Sequence, residues 1–238
     1  MSPPARPRVW AVVPAAGTGS RMGHATPKQY LELGGRPIVA RAVQRVASDP
    51  RVHGVVVALR EDDAHWSAAR PRLHCALWTV VGGDTRQASV LAALDWLVRA
   101  GESHDWVAVH DAARPCLRPD DLRVLLDVAL ADAVGAVLAM PVRDTMKRAD
   151  PEGRVAQTVS RDHLWHALTP QVFRLGQLRA ALRSAEDAGR TVTDEAQAME
   201  DAGLAARLVV GHADNLKITH PADMALGEQI LAAQGADD

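Results

Sequence analysis

Val9-Trp10-Ala11-Val12-Val13-Pro14-Ala15-Ala16 is an unbroken apolar run that stops at the turn Gly17-Thr18-Gly19. A short, β-branched-rich run closed by glycines predicts a buried strand feeding a loop. Working outward, apolar residues at helical spacing predict a helix over Pro37–Val46. Val52–Leu59 and Ala76–Val81 read as further strands, the second ending at Gly82-Gly83. Val90, Leu91, Leu94, Leu97 and Val98 form a stripe that predicts a helix over Ser89–Ala100, closed by Gly101. A strand over Trp106–His110, a helix over Asp120–Ala131 and a strand over Ala136–Val142 follow.

Strands alternating with helices predict an α/β fold: a Rossmann-like, mostly parallel sheet with helices on both faces. In such sheets ligands bind beyond the carboxyl ends of the strands. The polar and Gly-rich clusters at 14–28, 82–89 and 110–115 all follow strands, so the site is expected there. The pattern changes over 143–161. Thr145-Met146-Lys147-Arg148 and Val155–Val159 flank Asp150-Pro151-Glu152-Gly153, a hairpin signal with too few apolar residues for a core of its own. It is expected to project as an arm and to pack on a second subunit, or else to fold back on its own surface. Beyond it we expect helices over Leu175–Ala188 and Thr193–Asp201, strands near Leu208–Val210 and Asn215–Thr219, and a closing helix from Pro221 to about Ala233. One domain spanning 1–238 accounts for this order.

The chain has 238 residues, 47% hydrophobic and 24% charged, which excludes a disordered or collagen-like chain. A net charge of −2 argues against a general nucleic-acid coat or an anionic-membrane surface, though not against a local basic pocket. Two cysteines far apart, Cys75 and Cys116, no apolar run near ~18 residues and no hydrophobic signal core in the Pro-rich start point to a cytoplasmic protein. Only Lys28, Lys147 and Lys217 among the 27 basic residues are lysine. A genomic base composition that favours arginine codons would account for this ratio. A lysine that survives such a bias suits a crowded phosphate site, where a compact ammonium fits and a planar fork does not.

Four constellations carry candidate chemistry. Pro14-Ala15-Ala16-Gly17-Thr18-Gly19-Ser20-Arg21-Met22-Gly23, followed by Pro27-Lys28-Gln29-Tyr30, combines small residues with two cations. Backbone N–H groups of such a loop approach phosphate oxygens closely. It is no Walker A loop, because His24 follows Gly23, and no dinucleotide fingerprint, because Met22 holds the last glycine position. Gly82-Gly83-Asp84-Thr85-Arg86-Gln87-Ala88-Ser89 exposes backbone groups that, with Asp84 and the Ser89 hydroxyl, suit the edge of a small planar base; Asp84 is alternatively a helix cap. In His110-Asp111-Ala112-Ala113-Arg114-Pro115 a strand-end carboxylate suits Mg²⁺ or sugar hydroxyls, and His110 reads as a packed residue. Thr145, Arg161, Thr169, Thr193 and Lys217 sit in polar patches suited to a second, anionic substrate, although each alone reads equally as a surface hydroxyl or ion pair. The ten histidines show no HExxH spacing, which argues against zinc.

These motifs, with Arg143-Asp144-Thr145-Met146-Lys147, Leu164-Trp165-His166-Ala167-Leu168-Thr169-Pro170-Gln171, Thr193-Asp194-Glu195-Ala196 and Asp214-Asn215-Leu216-Lys217-Ile218-Thr219, resemble the 2-C-methyl-D-erythritol 4-phosphate cytidylyltransferases of the non-mevalonate isoprenoid pathway. The resemblance runs from about Val9 to Leu231. It implies transfer of CMP from CTP to that polyol phosphate, with Mg²⁺ or another divalent cation. Ala15, Ala16, Gly17, Gly19, Arg21 and Lys28 would hold the phosphates, and Pro14, Gly83, Asp84 and Ser89 would surround cytosine. Asp111 and Ala112 would contact the ribose region, with Asp111 also near the metal and the acceptor. Arg114, Thr145, Arg161, Thr169, Thr193 and Lys217 would hold the acceptor, and Arg21, Lys28, Arg161 and Lys217 would carry catalysis. The family's interlocking hairpin arms imply a homodimer. A cytidylyltransferase for another polyol phosphate, such as ribitol 5-phosphate, is the nearest alternative.

Overall fold

The computed structural model describes residues 7–17, 26–100 and 105–235. In chain order these form β1 (Val9–Pro14), a 3-10 turn (Lys28–Tyr30), β2 (Glu32–Leu33), β3 (Arg36–Pro37), α1 (Ile38–Val46), β4 (Val52–Leu59), α2 (Trp66–Ala69), β5 (Ala76–Val81), α3 (Arg86–Arg99), β6 (Trp106–Val109), α4 (Pro119–Ala131) and β7 (Gly135–Pro141). The remainder is β8 (Met146–Ala149), β9 (Val155–Val159), β10 (Trp165–Arg174), α5 (Leu175–Asp187), α6 (Glu195–Asp201), β11 (Arg207–Val210) and α7 (Ala222–Ala233).

The main sheet has seven strands in the order β11-β7-β10-β6-β1-β4-β5. Six point the same way, and β10 alone is antiparallel, between β7 and β6. The run of β1 is continuous because both its faces are covered. Val9, Ala11 and Val13 join one core with α1 and α4, while Trp10 and Val12 join the other with α3, α5 and α6. Each fully buried Val or Leu in these layers contributes roughly 1.5–3 kcal/mol. From β1 the chain winds outward through β4 to β5, then returns to place β6 on the other side of β1. The loops after β1 and β6 therefore diverge, and a crevice opens between them at the strands' carboxyl ends.

Three expectations need correction, and one strand carries no local signal. Residues 164–174 give no strand by periodicity, yet β10 is the longest strand of the sheet. Pro170 and the polar residues mask it, and its pairing with β7 skips from Ala167 to Gln171, so Leu168–Pro170 bulge out of the ladder. Asn215–Thr219 is not a strand. It is an extended loop past the sheet end, where Ile218 N–H donates to the Ala113 carbonyl at 2.8 Å, and single bonds of this kind build no ladder. Helix α3 begins at Arg86 rather than Ser89, with Thr85 as its cap, its side chain accepting from Ala88 N–H. Asp84 is therefore not the cap. Helix α6 begins at Glu195, because Asp194 is extended and caps Gln197 N–H.

β8 and β9 pair only with each other, as a two-stranded sheet apart from the main one. Nearly all of their residues are exposed. Asp150 closes the turn by accepting Arg154 N–H at 2.7 Å, and Gly153 supplies the positive φ of 81°.

Gly135 opens β7 with φ 141°, and a Cβ there would stand 2.1 Å from the Val172 carbonyl oxygen. Gly135→Ala is expected to destabilise the fold by about 2 kcal/mol or more, read as a lower urea midpoint. An unchanged midpoint would show that β7 and β10 part freely.

Candidate functional site

The crevice is a cleft of about 270 Å³ whose walls come from three strand ends. Pro14–Gly17 follow β1, Gly83–Arg86 and Ser89 follow β5, and Asp111–Ala113 follow β6, with Lys28, Gln29 and Lys217 closing it. Eleven of the expected residues thus line one cleft: Pro14, Ala15, Ala16, Gly17, Lys28, Gly83, Asp84, Ser89, Asp111, Ala112 and Lys217. Gly19 and Arg21 lie outside the described residues.

The first loop is held from below by Gln29, whose role no local pattern in the sequence reveals. Its buried side-chain amide donates to the carbonyls of Ala15 and Gly17, both at 2.9 Å. This fixes where the backbone leaves β1. On the next residue back, Lys28 Nζ donates to the Ile218 carbonyl at 3.1 Å, beside Lys217.

At the second loop, the glycines serve close packing. A Cβ on Gly82 would meet Ser89 Oγ at 2.8 Å, and one on Gly83 would meet Ala88 Cβ at 2.5 Å. The buried Ser89 hydroxyl lies 2.9 Å from the Thr85 carbonyl and accepts Gly83 N–H at 3.2 Å. It shapes the loop from inside, and Asp84 stands exposed at the cleft mouth.

Asp111 is the centre of charge. Arg86 Nε donates to its Oδ1 at 2.9 Å, Lys217 Nζ lies 2.8 Å from Oδ2, and Arg114 Nε lies 3.6 Å from Oδ2. Burial alone would raise its pKa, but the Arg86 and Lys217 charges override that and hold the carboxyl well below the usual range. Arg86 is in turn bound by both oxygens of buried Glu195, at 2.7 and 2.9 Å. Three cations and two carboxylates leave this cluster with a net positive charge, before Lys28 is added.

Behind Asp111 runs a directed chain of hydrogen bonds. The Arg114 carbonyl only accepts, so His110 Nε2 carries the proton and donates to it at 2.9 Å. His110 Nδ1 then accepts the Thr169 hydroxyl proton at 3.0 Å, and Thr169 Oγ1 accepts Asp111 N–H at 3.0 Å. The β10 bulge is what carries Thr169 to this place. Thr169 is 4% exposed and sits behind the cleft wall. Its carbonyl takes the Asn215 side-chain amide at 2.8 Å, and the Asn215 carbonyl takes Arg114 Nη1 at 2.6 Å. The loop bearing Lys217 is pinned in this way.

His110 is fully buried, and burial lowers its pKa to about 4. Since the unfolded imidazole titrates near ~6.5, the unfolded state binds more protons between these values. Stability is then full above pH ~6.5 and falls with pH, by about 2 kcal/mol at pH 5 from this residue. His110→Gln is expected to remove that component from the pH dependence of the urea midpoint. An identical slope in both proteins would contradict it.

Thr145 and Arg161 do not line the cleft of this chain. Both are exposed at the base of the hairpin, where Arg161 Nη1 donates to the Arg143 carbonyl. Thr193 is also exposed and bonds Gln197 Oε1 at 3.0 Å, one residue before the Asp194 cap. Among the described residues no group of three His, Cys, Asp or Glu side chains is placed to hold a metal ion. Asp111, the expected ligand, has both oxygens engaged by Arg86 and Lys217, so an ion in the cleft would be held chiefly by phosphates and water.

The IspD family model, 2-C-methyl-D-erythritol 4-phosphate cytidylyltransferase, matches residues 9–233. The chain is 51% identical over 228 residues to the protein of that name from Shewanella oneidensis, covering 96% of this chain and 90% of the relative. It is 53% identical over 223 residues to the one from Ectopseudomonas mendocina, covering 92% and 93%. A crystal structure of a 4-diphosphocytidyl-2C-methyl-D-erythritol synthase superposes with a TM-score of 0.81 at 33% identity, over 95% of this chain and 100% of that one. The Francisella tularensis 2-C-methyl-D-erythritol 4-phosphate cytidylyltransferase gives 0.79 at 30% identity, over 94% and 100%. With a match this long, over strands and cleft loops alike, the chain belongs to the 2-C-methyl-D-erythritol 4-phosphate cytidylyltransferase family.

Proposed function

We propose that this chain transfers CMP from CTP to 2-C-methyl-D-erythritol 4-phosphate, releasing pyrophosphate, in isoprenoid precursor biosynthesis. The observation that carries the reading is the cleft at the switch point, where Lys28, Lys217 and the Asp111 cluster converge on a loop of small residues. The acceptor's phosphate oxygen attacks the α-phosphorus of CTP, a new P–O bond forms, and the bond to pyrophosphate breaks. A phosphate monoester is already anionic at neutral pH, with a second pKa near ~6, so no general base is required. The obstacle is repulsion between two anions, and it is met by positioning and fixed charge.

Ala15, Ala16 and Gly17 offer backbone to the phosphates, and Lys28, with Arg21, neutralises the α-phosphate and the leaving group. Gly83, Asp84 and the Ser89-shaped loop take the base. Lys217 faces the incoming phosphate, and Arg114, beside Asp111, adds positive charge behind it. Thr145, Arg161 and Thr193 contribute to the acceptor site in a homodimer formed through the hairpin arm. A bound Mg²⁺ ion would supply further charge neutralisation on the phosphates, held chiefly by them. Among the described residues no helix is long and apolar enough to cross a membrane, which fits a cytoplasmic enzyme.

The test is pyrophosphate release across four nucleoside triphosphates and several polyol phosphates. Turnover with CTP and methylerythritol phosphate is expected. Preference for ribitol 5-phosphate, or for another nucleotide, would overturn the reading.

A further inference from the structure

We propose that Arg86 and Glu195 are a positioning pair: Glu195 anchors the Arg86 guanidinium so that it takes only one oxygen of Asp111 and leaves the other to Lys217. The inference rests on the cytidylyltransferase reading and adds to it a reason why the acceptor-side lysine stays in place.

Arg86 occupies the first position of α3, after the Thr85 cap, and that first turn contains no acidic residue. A cation is unfavourable there against the helix dipole, so it needs carboxylates from elsewhere. Glu195 supplies one from the first position of α6, where an acid is favourable. It is 1% exposed and binds Nη1 and Nη2 in parallel, the fork geometry that fixes a guanidinium plane. With both Nη groups so held, Nε is left to Asp111 Oδ1, and Lys217 meets Oδ2 at 2.8 Å. Gln171 of β10 braces the Glu195 end, donating to Asp194 Oδ2 and accepting Ala196 N–H, both at 2.9 Å. The pair thereby ties the loop after β5 to the turn at 193–196. Without the Glu195 charge, the fork turns onto both oxygens of Asp111 and displaces Lys217.

Glu195→Gln and Arg86→Gln are compared with the unaltered protein in full-length form. Each is expected to lower kcat/KM for the acceptor about 10-fold or more, with CTP affinity by calorimetry within about threefold. The double variant is expected to be no worse than the worse single one, because the two act as a unit. Glu195→Asp is expected to recover part of the loss. A crystal structure of Glu195→Gln is expected to show Lys217 withdrawn from Asp111. Glu195→Asp, whose shorter carboxylate holds the fork less firmly, replaces it if that variant does not fold, with Lys217 again expected to move away from Asp111. Additive effects, a fall in CTP affinity matching the acceptor loss, or a retained Lys217–Asp111 contact would overturn the pair. Wild-type protein inert toward CTP and methylerythritol phosphate would overturn the functional reading instead, and the crystal structure still decides the clamp.

Discussion

Lys28→Ala is expected to lower kcat by about 10²-fold or more while the thermal midpoint stays near that of the unaltered protein. Lys28 stands on the 3-10 turn beside the first loop, and its ammonium reaches the cleft wall at the Ile218 carbonyl. It is part-buried rather than core, so truncation removes charge from the cleft without opening a cavity between sheet and helices. The lost contact is one realised as charge shifts to the leaving pyrophosphate, worth roughly 3–4 kcal/mol by analogy with an oxyanion donor. Steady-state kinetics with both substrates saturating check this. A near-normal kcat would remove Lys28 from the mechanism.

Deleting residues 144–160 is expected to abolish measurable acceptor turnover and to give a monomer of unchanged stability. The fold should survive because the hairpin shares no core with the sheet. Its ends are already adjacent: Val142 N–H donates to the Leu164 carbonyl at 3.0 Å, and β7 pairs with β10 from Pro141 opposite Trp165. A short glycine link closes the gap at little cost in loop entropy. The function should not survive, because Thr145 is removed and Arg161 is left on a shortened link in place of the hairpin. In one chain neither lines the cleft. Sedimentation and pyrophosphate release, run together, read both halves of the expectation. An active monomer would show that the arm takes no part in the site.

The two expectations differ in what made them legible. Lys28 was marked in the chain itself, as one of three lysines among 27 basic residues and at a fixed offset from the first glycines. The arm was legible as a hairpin, from its Asp-Pro-Glu-Gly turn and its shortage of apolar residues. Its destination was not, because turn chemistry and spacing act within the hairpin and carry no information about what packs on it.

Local chemistry determined much of this protein. The apolar run Val9–Pro14, the strands Val52–Leu59 and Ala76–Val81, and the alternation with amphipathic helices set an α/β sheet whose loops carry the site, since periodicity and turn residues act within a few positions. Tertiary structure alone decided the rest. β10 became a strand through its neighbours β6 and β7, despite Pro170. Thr85, not Asp84, became the cap through the actual start of α3. Arg86, Asp111, Glu195 and Lys217 are separated by 25, 84 and 22 positions in turn, and no local pattern links residues so far apart. What joins them is desolvation: charges withdrawn from water must find partners, and only the folded chain brings those partners within 3 Å.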